Sequence, residues 1–259
     1  MKRRPLIFTP VDNLPLIKPG INLAEILLDT FHSINLPLEE GDVLVITQKI
    51  VSKAENRLIN LSSVDPSPRA YELAALCNKD PRLVELILTE SKEVIRVKEN
   101  TLIVEHNCGF ICANAGIDHS NVKGDWGNPD DWVLLLPQDP DRSARTIREY
   151  FFQKTGVDIG VLIIDSHGRA WRRGTVGISI GLSGIPALVD MRGKEDLFGF
   201  HLKVTQIATA DELAAAASLV MGQADEMVPV IHVRGFPYPL SESSPFGEIL
   251  RNKEDDLFR

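Results

Sequence analysis

The chain has 259 residues and a mass of 28.7 kDa, enough for one substantial core or two smaller ones. Apolar residues at 44% and charged residues at 25% are ordinary globular values. A net charge of −8 and a pI near 5.3 exclude the broad basic field of a nucleic-acid binder, so anionic substrates must meet local basic groups.

In chain order, Asn22 is placed to cap a helix whose Leu23, Ile26, Leu27 and Phe31 follow the helical apolar spacing. Residues 43–48 read as a strand and residues 56–65 as a loop. Ser67-Pro68 and Asp80-Pro81 each set a capping residue before Pro at the first helical position, which marks two helix starts. Strands are expected at residues 94–97, 102–105 and 133–136, with a loop at 124–131. A helix over residues 141–155 is stopped by Gly156. Strands follow at 160–164 and 176–182; in the second, Val176, Ile178, Ile180 and Leu182 alternate with small residues, predicting one buried face and one bare face that something approaches closely. Thr209-Ala-Asp-Glu212 reads as a capping box opening a helix that ends near Gly222, and a last strand spans 228–233. This order is not a clean strand and helix alternation, so a mixed α/β or α+β fold is expected over a doubly wound sheet.

No apolar run approaches the roughly 18 residues of a membrane span. After Met1, Lys2, Arg3, Arg4 and Pro5 the apolar segment is too short for a signal peptide, so a cytoplasmic protein with no membrane partner is expected. Cys77, Cys108 and Cys112 form no even framework and fit a reducing compartment. His106, Cys108 and Cys112 lack the further ligands of a thiolate zinc site; if that run is a strand, Cys108, Phe110 and Cys112 share one face as core residues.

The chemistry concentrates around two aspartates. Asp118 lies in Asn114-Ala-Gly-Ile-Asp118-His-Ser-Asn121 and Asp165 in Ile163-Ile-Asp165-Ser166-His-Gly-Arg169. Carboxylates on Gly-flanked loops suit a hard cation such as Mg²⁺ or Mn²⁺, whose oxygen shell is completed by phosphates and water. Lys49 and Lys53 follow the strand at 43–48, and Arg169, Arg172 and Arg173 follow Asp165; either group can meet phosphate or carboxylate. Gly177, Gly181 and Gly184 match neither the dinucleotide nor the Walker spacing, which leaves close packing in a sheet as their ordinary explanation. His119 and His167 flank the aspartates and are candidate bases by position, ahead of His32, His106, His201 and His232. Asp211 and Glu212 are explained as first-turn carboxylates of a helix.

Several segments then become recognisable: Leu14-Pro15-Leu16-Ile17, Gly41 to Gln48, Lys49-Ile-Val-Ser-Lys53-Ala-Glu55, Asn114 to Asp118, Leu136-Pro-Gln-Asp-Pro-Asp141, Asp165 to Arg169 and Met221-Gly-Gln223. In this order the chain resembles the coenzyme F420-0:gamma-glutamyl ligases (the CofE family) down to Glu254-Asp-Asp-Leu-Phe-Arg259. The resemblance implies a GTP-dependent ligase that adds L-glutamate to the lactyl carboxylate of the deazaflavin acceptor coenzyme F420-0, then further gamma-linked glutamates. It also implies a family-specific mixed α/β fold with mixed and antiparallel sheets, an intertwined homodimer, Mg²⁺ or Mn²⁺ (two ions), and K⁺ as a helper. Carried over by motif, the metal ligands are Asp118, Asp165, Ser166 and Gln223, and the catalytic residues Asp118, Asp165 and Lys53. The GTP contacts are Leu14, Pro15, Leu16, Ile17, Gln48, Lys49, Lys53, Asn121, Met221, Gly222, Gln223, Ala224, Asp225, Glu226, Met227 and Val228. Gln223 stands where some relatives carry Glu, removing one negative charge, and Ser166 where some carry Thr. Asn56 stands where Gly is common, yet Asn tolerates a left-handed turn. Residues 1–259 are expected to form one ligase unit with room for two lobes and no nitroreductase-like domain after it. Two alternatives draw on the same residues: a metal-dependent phosphohydrolase, and a noncatalytic GTP-binding relative.

Overall fold

A computed structural model describes residues 5–241 and 244–257. The segment Met1 to Arg4, used above to judge a leader, and the terminal Phe258 and Arg259 lie outside the described residues. The main sheet runs in the order β1 (Ile7–Pro10), β12 (Val230–Arg234), β2 (Val43–Thr47), β8 (Gly160–Arg169), β9 (Arg172–Ser183). Only β2 and β8 are parallel; every other pairing in the sheet is antiparallel. Strand β2 is buried on both faces, and its alternation splits the core in two. Leu44 and Ile46 join Val161, Ile163 and Ile180 beneath α1 (Leu23–Ser33) and α5 (Pro140–Thr155). Val43 and Val45 join Leu162, Ile164 and Leu182 beneath α6 (Thr209–Met221). The result is a mixed α/β architecture with helices on both faces.

The first core continues into α2 (Gln48–Ala54) and into α3 (Pro68–Cys77) and α4 (Pro81–Thr89); the last two cover a small antiparallel sheet of β4 (Ser91–Lys98), β5 (Thr101–His106) and β6 (Ile111–Ala113). A ribbon of β3 (Leu58–Asn60) and β7 (Trp132–Leu134) lies alongside, and β10 (Val189–Asp190) pairs with β11 (Gln206–Ile207). Asn22, Ser67 and Asp80 each accept a backbone N–H as side-chain caps, and Gly156 ends α5 in the left-handed conformation.

Five expectations need correction. Gln48 ends no strand: the chain turns straight into α2, and residues 56–65 contain β3 as well as a short 3₁₀ turn. The last strand begins at Val230, leaving Val228 in the preceding loop. Thr209 forms no capping box, because its hydroxyl donates to the Pro186 and Ala187 carbonyls instead (2.7 and 3.3 Å). Finally, the register between β8 and β9 shifts at Ile180, so Leu182 turns to the α6 side while Ile178 and Ile180 face α5. The bulge explains why two glycines of β9 admit two different helices. A Cβ on Gly177 would come within 2.5 Å of Ser218 Cβ on α6, and one on Gly181 within 2.3 Å of Pro140 Cβ on α5. The bare positions are therefore helix-packing sites.

Among the described residues no helix is long and apolar enough to cross a membrane. Phe110 and Cys112 are buried and Cys108 packs on the same core. Burial pushes the Cys108 thiol up to about 11 and that of Cys112 to about 12, so both are poor nucleophiles.

Candidate active site

The parallel pair β2 and β8 ends with Thr47 opposite Ile164, so Gln48 and Asp165 leave it side by side. Carboxyl ends of parallel strands are where open sheets receive ligands, because the chain there turns away and leaves a crevice. Here α2 turns up at once and presents Gln48, Lys49, Ser52 and Lys53. Gln48 is fully buried, and its Oε1 accepts the Ser52 hydroxyl one turn on (2.9 Å), which aims its Nε2 outward.

Asp118 is delivered to this helix by backbone strain. Asn114, Ala115 and Gly116 are all left-handed, with φ of 52°, 53° and 65°. Ala115 is fully buried in that conformation, a cost that surrounding structure must outweigh. Asn114 Oδ1 accepts the Leu102 N–H (3.0 Å), and Gly116 lies against Leu136, where a Cβ would come within 2.7 Å of Cδ1. Beyond the turn, Asp118 exchanges two backbone hydrogen bonds of 2.9 Å with Leu134. Its carboxylate accepts from Gln48 Nε2 (2.7 Å) and meets Lys49 Nζ (2.9 Å). Lys49 also donates to the Ser120 carbonyl and hydroxyl (3.1 and 2.9 Å), and Lys53 to the Asn121 carbonyl (2.8 Å).

Asp165 reaches the same place from β8. His167, two residues on and so on the same face, meets its Oδ2 at 2.8 Å through Nε2. The His167 ring is 8% exposed and leans on Phe110 (5.5 Å), which stacks on His106 (5.0 Å) and meets Phe246 edge to face. Among the described residues His167 Nδ1 has no partner. An ionised carboxylate only accepts, so the shared proton sits on Nε2.

The two acids feel each other. Burial raises Asp118, Lys49 pulls it back, and the negative charge of Asp165 raises it again. Burial also works to raise Asp165, but the His167 hydrogen bond and charge, the Ser166 N–H and Lys49 together hold it below the usual carboxylate range. Lys53 is depressed by burial and by the like charge of Lys49. Two acids and two ammoniums thus share one partly desolvated crevice, an arrangement that phosphate chemistry uses.

The other expected site residues fall into three groups. Ser166 is exposed and points away from Asp165, as alternation along a strand requires; it pairs with Gly177, which lies against Ser218. Gln223 donates to that same Ser218 hydroxyl (3.2 Å), so Ser166 and Gln223 share a locus on the α6 side. Asn121 joins the loop after Asp118 to the segment after α6 by donating to the Ala224 carbonyl (3.2 Å), which brings Lys53, Asn121 and Ala224 into one chain of contacts. In that segment Met221 closes α6, Gly222 has a φ of 74°, and Ala224 N–H donates to Glu226 (2.7 Å), holding its carboxyl low. Asp225 and Met227 are exposed and Val228 half-buried. Leu14 and Ile17 pack against the core, whereas Pro15 and Leu16 are exposed.

Arg169, Arg172 and Arg173 stand at the exposed tip of the β8–β9 hairpin and form no ion pair among the described residues. His119 is exposed in its loop. Asp211 does more than favour a helix N-terminus: its Oδ1 accepts the Ser179 N–H and hydroxyl, tying α6 to β9 (3.0 and 2.5 Å). The contributions of Ser52, Ser120 and Leu134 carry no signal in sequence beyond the i, i+4 spacing of Gln48 and Ser52. Hard carboxylate oxygens from Asp118 and Asp165 fit Mg²⁺ or Mn²⁺ better than a soft metal. Among the described residues no group of three or more His, Cys, Asp or Glu is arranged to hold a metal ion, so a cation at the two aspartates would take its other oxygens from water, hydroxyl or substrate.

The family model for F420-0:gamma-glutamyl ligase matches residues 12–235. A coenzyme F420:L-glutamate ligase of Methanopyrus kandleri is 46% identical over 246 residues, covering 94% of this chain and 93% of that protein. The Methanothermobacter thermautotrophicus enzyme of the same name is 44% identical over 250 residues (96% and 97%). That of Archaeoglobus fulgidus is 42% identical over 250 residues (96% and 95%). The chain belongs to the F420-0:gamma-glutamyl ligase family.

Proposed function

We infer that this protein is a GTP-dependent ligase that joins L-glutamate to the lactyl carboxylate of coenzyme F420-0 and then extends it through gamma linkages. The observation that carries this reading is the convergence of Asp118 and Asp165 with Lys49 and Lys53 at the carboxyl ends of β2 and β8. A carboxylate does not condense with an amine at neutral pH. The γ-phosphoryl group of GTP therefore passes first to a lactyl carboxylate oxygen, giving an acyl phosphate and GDP. The glutamate amine then attacks the acyl carbon, inorganic phosphate leaves with the bridging oxygen, and the amine gives up its proton.

Mg²⁺ or Mn²⁺ held by Asp118 and Asp165 supplies charge neutralisation between two anions that must touch. The chain's own groups do the rest. Lys49 and Lys53 meet phosphate oxygens, since an incoming phosphate offers them a stronger acceptor than the Ser120 and Asn121 carbonyls they now hold. Gln48 steadies Asp118, and His167 fixes one Asp165 oxygen so that the other is left for ligand. Segment 221–228, tethered through Asn121, covers the nucleotide. Self-association into a homodimer is supported by an exposed apolar arm in which Leu197, Phe198 and Val204 are 96%, 94% and 84% accessible.

Mass spectrometry of the acceptor after incubation with GTP, Mn²⁺, K⁺ and glutamate tests the reading. Glutamyl mass increments are expected from the native protein and not from Asp165→Ala. GTP hydrolysis that ignores glutamate and acceptor would instead identify a phosphohydrolase.

A further inference from the structure

Beside the ribbon of β3 and β7 lies a cleft of about 200 Å³ lined by Pro19, Asn56, Leu58, Asp125, Trp126 and Trp132. Whole small-molecule pockets run to about 300–1,000 Å³, so this one holds an end of a molecule. Trp126 is 57% exposed, yet it is fixed in place. The Trp132 indole N–H donates to the Trp126 carbonyl (2.7 Å), and the two rings meet edge to face with centroids 5.1 Å apart. Gly124 lies flat on Trp132, where a Cβ would come within 2.0 Å of the ring. A large apolar ring held rigidly while still accessible is a stacking platform, because little conformational entropy is lost when a second ring covers it.

The polar groups say what kind of ring. The Asp125 carboxylate lines the cleft and makes no hydrogen bond or ion pair among the described residues, which leaves it an acceptor beside the platform. The Asn56 amide stands opposite on a left-handed turn with a φ of 59°. Below the loop, Gly127 abuts Asn60, whose amide Nδ2 is buried without a partner among the described residues. That is a donor which a small loop adjustment on binding could satisfy. Position supplies the rest: Trp132 lies two residues, about 7 Å at strand spacing, from Leu134, whose backbone bridges Asp118.

We propose that this cleft binds a flat heteroaromatic ring with N–H donors on its edge, stacked on Trp126 and read by Asp125, at the far end of a molecule whose anionic end lies at Asp118 and Asp165. Two molecules of the ligase reading, on which this rests, share that chemistry: the purine base of the nucleotide and the deazaflavin ring of the acceptor.

The test is equilibrium binding to the full chain, by tryptophan fluorescence and calorimetry, with GTP and separately with a deazaflavin phosphate acceptor. Trp126→Ala is expected to weaken one of the two by about 5- to 100-fold, the range of a lost stacked ring. Asp125→Asn weakens the same ligand, Trp126→Phe stays within about threefold because it keeps a ring to stack on, and the other ligand is unaffected. Whichever ligand responds names the occupant. The proposal is overturned if neither ligand responds to Trp126→Ala and Asp125→Asn, or if Trp126→Phe loses as much as Trp126→Ala. Because the readout is binding, failure to form a glutamyl product would count against the ligase reading and leave this one standing.

Discussion

Asp42 anchors the end of β2 opposite the active site, and Asp42→Asn separates what stabilises the sheet from what performs chemistry. Its carboxylate, 2% exposed, accepts from His232 (2.7 Å), from Arg234 (2.8 and 3.1 Å) and from the Glu39 N–H (2.8 Å). Burial works to raise it, but His232 and Arg234 together lower it from 3.8 to about 2. A folded pKa below the unfolded one means stability that is complete above the unfolded value and lost as pH falls through the folded value. That lowering corresponds to roughly 2–3 kcal/mol. Urea denaturation at pH 7 should therefore show Asp42→Asn destabilised by about that amount, and the gap between native and variant should shrink from pH 5 to pH 2. Turnover of folded variant at pH 7 should match the native protein. A gap absent at pH 7, or undiminished at pH 2, would refute the linkage reasoning.

Three further outcomes follow from other positions. Lys53→Met removes an ammonium from the proposed phosphate site and should lower kcat/KM for GTP by about 10- to 100-fold in steady-state assays, with far-UV circular dichroism unchanged. Gly177→Val forces side-chain atoms into Ser218 and the Ala214 carbonyl of α6; overpacking of about 1–3 kcal/mol should lower Tm by several degrees in calorimetry. His167→Ala frees the Asp165 carboxylate to rotate and should weaken Mn²⁺ binding about tenfold by calorimetry, with His167→Gln recovering part of the loss.

Helix starts were readable where a side chain marks them. Asn22, Ser67 and Asp80 each announce a boundary, and the structure uses each as a cap. Helix α2 carries no such mark: it follows β2 without a break, Thr47 supplies no side-chain cap, and β-branched Ile50 and Val51 do not favour a helix. Strand β1 pairs with β12 from the far end of the chain, and β3 with β7 over three residues each; neither pairing has a local signature. The turn of Leu182 depends on a bulge, and register is a property of two strands together. Both aspartates were conspicuous because strained or Gly-flanked backbone surrounds them, but the partners that set their charge, Gln48, Lys49 and His167, lie on a helix with no sequence mark and on a strand face that only the fold defines.

Oxygen tracing tests the central claim most directly. With ¹⁸O in the lactyl carboxylate of the acceptor, the native protein given GTP, glutamate and Mn²⁺ should release inorganic phosphate carrying one labelled oxygen for each first glutamyl bond formed, while Asp118→Asn and Asp165→Asn release almost none. Glutamyl product accompanied by unlabelled phosphate, or labelled phosphate formed at full rate without either carboxylate, would contradict it.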